Sequence, residues 1–553
     1  MVSAKRIYDL VIVGSGAGAI TAALAAAEAG RTAVIIEKTD KIGGSCALSG
    51  GVLWIPDNPI ARRFGVADSE ADARAYLDSC AGPPGPGSTP ERRAAYIREG
   101  AAAIGFLDAL GLRLRAPRGY SDYYEGAKPG AVREGRAIVA ETYDLRRIGA
   151  YAGKLRRWPK GAEQPVAVDE VAQLSISGRT LASKLTYLRV GWRLLRRRFG
   201  ADLVAMGAAL QGRLLELALA RDIPILTETT MAGFAMEGER VAGVVVRGPE
   251  GEETIGARMG VLLNAGGFSH NLDMRTRFQP APASTAWTLS SPGDTGEVLS
   301  EAMRIGADTH LLDFTVWTPV SLLPNGAPAF TLTDMSKPHA ILVDSTGARY
   351  LNEGTSYVEI GVTMYERHKT VPAVPSWIVM DSDHRRKYFL AGGKAGPPPR
   401  DWLESGTITK ADTLAELAAK CGMDPDTLAQ TVERFNGFAR AGVDRDFGRG
   451  SGAWHRFFGD PSVKPNPALG PIAKAPFYAM RAYPGDVGTF GGLVADEHAQ
   501  VLRKDGSPIA GLYATGNITA PVTGPSYPGA GASIGPALVF GYVAARHALR
   551  LNA

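Results

Sequence analysis

Residues 8–13 (YDLVIV) are apolar but for one aspartate, and the glycine-alanine run GSGAGA follows at 14–19. A short apolar run that ends in glycine predicts a strand buried on both faces. The alanine-rich stretch to about Ala29 predicts a helix, and residues 32–37 (TAVIIE) a second buried strand. Strand, helix, strand in that order predicts a parallel βαβ unit. Further along, apolar periodicity predicts helices over 68–80 and 90–110, split by the PPGPG breaker at 83–87. Residues 112–178 read as irregular, and 179–199 and 203–220 as helical. VAGVVVRG (241–248), the turn PEG and the run after it predict a hairpin, then a strand entering a glycine turn at 264–268. From 281 to 475 proline and aromatics increase and the alternation fades. GLYATGN (511–517) returns to a strand that ends in glycine, and 534–550 predicts a last helix. The fold class expected is α/β: a Rossmann-like doubly wound domain interrupted by an inserted α+β catalytic domain. The segments expected are 1–280 (with a basic amphipathic insert at about 145–200), 281–478 and 479–553.

The first glycine run carries the chemistry. Gly14, Gly16 and Ala19 fit G-x-G-x-x-G/A between a strand and a helix, and Gly18 within the same run is a further expected cofactor position. The first glycine permits the turn, the second lets backbone approach a pyrophosphate, and the small third position lets helix and strand pack. Helix N-terminal amides then face the phosphates. Glu37, 23 residues after Gly14, ends the second strand, where a carboxylate accepts from ribose hydroxyls, with Lys38 beside it. A second small-residue loop, DKIGGSCALSGG at 40–51, selects FAD over NAD. Its Gly43, Gly44, Ser45, Ser49, Gly50 and Gly51 suit a backbone laid along a long extended cofactor. Ala265, Gly266 and Gly267, then Gly516 and Asn517, add two more strand-to-glycine turns. Ser533 and Ile534 open the last helix, whose N-terminal dipole favours negative charge on a reduced flavin. The loop lacks histidine, so the FAD is expected to be non-covalent. Cys46 has no second cysteine near it and reads as a small buried residue.

Composition narrows the class without changing it. The 553 residues are 45% hydrophobic and 21% charged, enough for large packed cores, and 67 glycines point to tight turns. A net charge of +5 gives no reason to expect nucleic acid. Cys46, Cys80 and Cys421 form no CxxC pair or disulfide framework, and no signal-peptide pattern opens the chain. A cytoplasmic location is expected. No 18-residue apolar run exists, and the histidines, His270 and His339 among them, show no metal-ligand spacing.

Four stretches carry a family resemblance: SDYYEGAKPG (121–130), NEGTSYVEI (352–360), VGTFGGLVAD (487–496) and SYPGAGASIG (526–535). The chain resembles the fumarate reductase and 3-ketosteroid dehydrogenase flavoproteins, and most closely the 3-ketosteroid Δ1-dehydrogenases. The resemblance implies a 3-ketosteroid substrate, an external electron acceptor and four active-site positions: Tyr123, Tyr357, Tyr527 and Gly531. Tyr124 is the alternative to Tyr123 in the DYY pair. In that scheme Tyr527 and the Gly531 amide bind the 3-keto oxygen, an oxyanion hole that acidifies carbon 2. Tyr357 takes the carbon-2 proton, with Tyr123 supporting its phenolate, and hydride passes from carbon 1 to flavin. Two alternatives share the scaffold, a Δ4-dehydrogenase and a fumarate-reductase-like enzyme. The second clamps a dicarboxylate with arginine, and no arginine occurs here between Arg503 and Arg546.

One segment remains outside this scheme. Between Val171 and Ala201 there are seven basic residues (Arg179, Lys184, Arg189, Arg193, Arg196, Arg197 and Arg198) and no acidic one. Leu181, Leu185, Leu188, Trp192, Leu195 and Phe199 recur at spacings of three and four, which places them on one helical face. Residues 145–160 are basic too. Peripheral membrane contact through 179–199 is expected; the alternative is a helix packed on the protein's own core.

Overall fold

A computed structural model describes residues 6–159 and 163–551. The first five residues and Lys160, the end of the basic run at 145–160, lie outside the described residues. The expected parallel core is present. Arg6–Val13 sits between Ala33–Ile36 and Gly251–Leu263, parallel to both. Ile225–Leu226 and Pro508–Ala514 extend the parallel sheet on its two sides. Gln500–Leu502 closes one edge antiparallel. The C-terminal segment thus completes a sheet begun at residue 6, because Val261–Leu263 pairs with Leu512–Ala514.

The hairpin read at 241–248 is one strand of a three-stranded antiparallel ribbon. Arg240–Gly248 pairs with both Thr230–Glu237 and Gly251–Leu263. The stretch 112–178 is not wholly irregular. Ala137–Ala140 pairs with Val52–Trp54, Leu145–Gly153 forms 3₁₀ turns, and Val168–Leu174 is a helix. These elements are too short for periodicity to register.

A second, antiparallel six-stranded sheet forms the inserted domain. Its central strand, Phe477–Thr489, pairs with Ser376–Met380 on one side; on the other side Ile408–Ala411 pairs with its first half and Thr315–Leu322 with its second. This strand runs across the 478/479 boundary drawn from the sequence. Helix Tyr357–His368 lies on this sheet so closely that a Cβ on Gly361 would fall 2.3 Å from the Trp317 side chain.

Two helices meet behind the glycine loop. Ala17–Glu28 and Ile534–Ala548 cross where Gly18 and Gly541 face each other, and a Cβ on Gly541 would lie 2.3 Å from the Gly18 carbonyl oxygen. That contact brings the N-termini of both helices to one region, from sequence positions more than five hundred residues apart.

Candidate active site

One continuous cavity of about 460 Å³ runs from the glycine loop to the tyrosines. At one end the first βαβ unit supplies Gly14, Gly16, Glu37 and Lys38. Glu37 is buried and fixed: Ser15 Oγ donates to it at 2.6 Å, and Thr39 donates from both its amide (2.9 Å) and its hydroxyl (2.8 Å). Ser15 in turn accepts from the Gly43 amide at 2.8 Å, which ties the two glycine loops together. Lys38 donates to Thr295 at 2.6 Å and pairs with Glu297.

The second loop lines the next stretch with Gly43, Gly44, Ser45, Ser49, Gly50 and Gly51. Gly44 has φ +48, and a Cβ there meets no protein atom within 4 Å, so a side chain would project into free space at the cavity wall. Gly51, at φ +65, is a different case: its Cβ would collide with the Met206 backbone at 2.4 Å. Ala265, Gly266, Gly516, Asn517, Ser533 and Ile534 complete this part. Three predicted cofactor positions do not reach the cavity. Gly18 and Ala19 face the last helix and Asn264, and a Cβ on Gly267 would meet Thr489 Oγ1 at 1.9 Å. They permit backbone packing.

Asn264 and Asp294 were not singled out. The Asn264 side chain accepts from the Ala19 amide (3.1 Å) and donates to the Thr515 carbonyl (2.9 Å), joining three glycine turns. Its position just before the 265–267 turn was the available signal. Asp294 accepts from Ser45 at 2.7 Å, and burial pushes its carboxyl up to about 7. Its sequence neighbourhood, SPGDTGE, carried no reading.

These features fit an FAD. The small-residue cradle, the fixed carboxylate at Glu37 and two helix N-termini line one elongated cavity. Cys46 lines it as well, with burial raising its thiol to about 11, which makes it a poor nucleophile. Among the described residues no group of three or more His, Cys, Asp or Glu side chains is placed to hold a metal.

At the other end the inserted domain meets the glycine loops, and three phenols converge. Ring centroids are 5.4 Å apart for Tyr357 and Tyr527, 5.7 Å for Tyr123 and Tyr357, and 6.2 Å for Tyr123 and Tyr527. Tyr123 lines the cavity and Tyr124 does not. Tyr124 turns to Lys128, whose ammonium lies 5.2 Å from its ring centroid. The Tyr123 amide donates to the Pro528 carbonyl at 3.0 Å, so the DYY and YPG segments are bound to each other. Asp122 stays on the far side, accepting from Trp54 Nε1 and Arg136 Nη1 at 2.8 Å each. Tyr527 shares a 3.1 Å hydrogen bond with Ser533, and Gly531 lies between them in the turn with φ +91.

The loop that carries Tyr357 is anchored by charge. Glu353, fully buried, accepts from Arg349 (2.8 and 2.7 Å), Arg449 (3.1 Å) and the Leu342 amide (3.0 Å). Trp454, Phe458 and Phe330 close the pocket, with Trp454 4.3 Å from the Tyr123 ring centroid. Sequence reasoning missed this aromatic wall, since 450–460 matches no motif. Burial pushes all three phenols up, Tyr123 and Tyr357 well above 10; for Tyr357 the neighbouring tyrosines add to the effect, and for Tyr527 the Ser533 hydroxyl opposes it. The only cation lining the cavity among the described residues is Lys38, already paired with Glu297. An arrangement of this kind, phenols and aromatic rings without a free cation, offers hydrogen-bond donors and an apolar wall to an uncharged ligand.

A family model described as "FAD binding domain" matches residues 9–534. The chain is 41% identical to a 3-oxosteroid 1-dehydrogenase of Mycobacterium tuberculosis (strain ATCC 25618 / H37Rv), over 98% of each chain. It is 35% identical to a 4-oxocyclohexanecarboxylate 2-dehydrogenase of Sinomonas cyclohexanicum, over 98% of this chain and 93% of the other. A crystal structure of 3-ketosteroid Δ1-dehydrogenase from Sterolibacterium denitrificans, in complex with 1,4-androstadiene-3,17-dione, superposes with a TM-score of 0.92 at 35% identity. That match covers 99% of this chain and 100% of the other.

Proposed function

The chain belongs to the 3-oxosteroid 1-dehydrogenase family of FAD-binding oxidoreductases, and from that premise we propose that it introduces the 1,2 double bond into ring A of 3-ketosteroids. The observation that carries this reading is the meeting of Tyr123, Tyr357 and Tyr527 at one end of the cavity that begins at Gly14. The glycine loops at 14–16 and 43–51 would hold FAD non-covalently, and when bound it would supply the hydride acceptor, to be reoxidised by an external electron acceptor. The chain's own residues do the rest. The Tyr527 hydroxyl and the Gly531 amide hold the 3-keto oxygen and stabilise the negative charge that grows on it. Tyr357, as the phenolate, takes the proton from carbon 2 and becomes the phenol, and Tyr123 donates a hydrogen bond that stabilises the phenolate beforehand. The aromatic wall keeps water out and orients the flat ring.

The Sinomonas relative is named for an acid substrate, which requires a cationic partner. The uncommitted arginine or lysine such a substrate needs is missing from the cavity lining among the described residues, and this favours the steroid. Tyr527→Phe tests the reading. It is expected to keep FAD and to slow steroid-driven flavin bleaching about 100-fold or more, the effect of losing one oxyanion donor. A rate near wild type would remove Tyr527 from the chemistry.

The same proposal places the protein on the cytoplasmic face of a membrane through 179–199. Helix Leu181–Arg198 docks by its polar side: Arg193 donates to Glu170 and to the Pro165 carbonyl (2.9 Å), and Arg197 donates to the Glu163 carbonyl (3.0 Å). Its apolar face is turned outward, with Leu181 74%, Leu188 71%, Trp192 63% and Phe199 80% exposed. That is the reverse of a helix packed on a core. An apolar stripe flanked by basic residues suits an anionic bilayer surface, where a poorly soluble steroid resides. No helix among the described residues is long and apolar enough to cross a membrane.

A further inference from the structure

A buried ammonium group lies behind the aromatic wall. Lys337 is fully buried, and among the described residues its Nζ is hydrogen-bonded to backbone carbonyls rather than to a carboxylate. A buried charge needs strong hydrogen bonds in place of water. Lys337 finds them on backbone: Nζ donates to the Phe458 carbonyl at 2.5 Å and, more weakly, to the Gly459 carbonyl at 3.4 Å. The Tyr388 ring lies 5.9 Å away. Burial pushes the ammonium down to about 7, while the charges of Asp334 and Asp460 oppose the fall.

The two ends of Lys337 reach the two halves of the pocket. Phe458, whose carbonyl it holds, packs edge-on to Trp454 at 5.0 Å, and Trp454 lies 4.3 Å from Tyr123. At the other end the Lys337 carbonyl accepts from Arg449 Nη2 at 2.6 Å. Arg449 also donates to Glu353, the anchor of the loop that carries Tyr357. Ser336, the preceding residue, donates to the Glu353 carbonyl at 2.8 Å. Trp454 and Tyr357 come from segments about a hundred residues apart, and this one residue is bonded to the support of each.

We propose that Lys337 is a positioning residue, whose ammonium sets the Trp454–Phe458 wall against Tyr123 while its carbonyl joins that wall to the Tyr357 loop. The inference rests on the tyrosine chemistry proposed above. A lysine suits the task because a compact donor on a flexible stem reaches two adjacent carbonyls in a space closed to water.

The test uses the holoenzyme and compares Lys337→Met, Lys337→Arg and Trp454→Leu. Three quantities are read: FAD content, the anaerobic rate of flavin bleaching by androst-4-ene-3,17-dione, and exchange of the carbon-2 hydrogen with deuterated solvent. Lys337→Met is expected to keep FAD while bleaching and exchange both fall about 10- to 100-fold, the cost of a small misplacement of reacting groups. Lys337→Arg keeps the cation and is expected to recover most of the rate. Trp454→Leu is expected to reproduce the Met phenotype from the other end of the contact chain, so the proposal is read even if Lys337→Met does not fold. Full rates in Trp454→Leu, or in an FAD-replete Lys337→Met, overturn it; so does a Lys337→Arg variant as slow as Met. Failure here is distinct from failure of the tyrosine reading. If Tyr527→Phe is slow while the Lys337 and Trp454 variants are fast, only this inference falls.

Discussion

Tyr357 has to give up a proton in order to take one. In the protein alone burial holds its phenol well above the ordinary 10, so the deprotonated fraction at neutral pH is very small. A base that is active only when deprotonated, with a raised pKa, gives a rate that climbs with pH below that pKa. kcat/KM is therefore expected to rise between pH 7 and 9.5, by up to about tenfold per pH unit, and Tyr357→Phe is expected to abolish both the rise and the activity. A flat profile would assign the proton to another group. Glu353 makes a separate prediction. Its carboxylate sits between Arg349 and Arg449 with no exposure. Glu353→Gln leaves buried cations under-compensated and is expected to cost about 3 kcal/mol in denaturant unfolding. Residue by residue, the glycine positions were legible because a turn or close approach admits nothing larger. What the sequence did not disclose is what approaches: at Gly18 and Gly267 a Cβ would meet the protein's own helix and strand.

At the scale of elements, the long helices could be read from their ends. Ser69 and Thr89 cap the helices at Glu70–Ala81 and Pro90–Ala109, accepting from Asp72 and Arg92 amides. The strand Thr230–Glu237 was missed because glycine and alternating small residues hide its period. Helix Leu181–Arg198 was legible as amphipathic, but which face it buries was not, since a helical wheel shows a stripe and not its neighbour. The buried Glu170, which receives Arg189 and Arg193, decides it. Leu188→Glu with Trp192→Glu is expected to release the protein from anionic liposomes in a sedimentation assay and to leave turnover of dissolved steroid within about twofold, because both side chains point to solvent. If the wild type never sediments with such liposomes, the membrane contact is wrong.

For the whole molecule, the decisive feature is that the cavity belongs to neither domain. Its cofactor end is built by the sheet around Arg6–Val13 and its tyrosine end by the inserted domain and the DYY and YPG loops. The doubly wound half was legible because parallel strands and glycine turns alternate in sequence. The convergence of residues 123, 357 and 527 was legible only through the family resemblance, and the part of Trp454 was not legible at all, since both depend on how an antiparallel sheet of long-range pairings sets down its loops. A ligand that spans such a junction stabilises the native state by mass action. Removing FAD is therefore expected to lower the unfolding free energy by about 3 kcal/mol or more at concentrations a hundredfold above Kd, seen as a lower Tm that FAD restores. The central claim, that this cavity desaturates ring A at carbons 1 and 2, is tested most directly by one anaerobic experiment. The holoenzyme is mixed with androst-4-ene-3,17-dione, the flavin absorbance is followed, and the product is identified by mass spectrometry and NMR. The account predicts bleaching and one equivalent of a product two hydrogens lighter, with the new double bond between carbons 1 and 2. An unchanged spectrum with this and other 3-ketosteroids, or a double bond formed elsewhere, would contradict it.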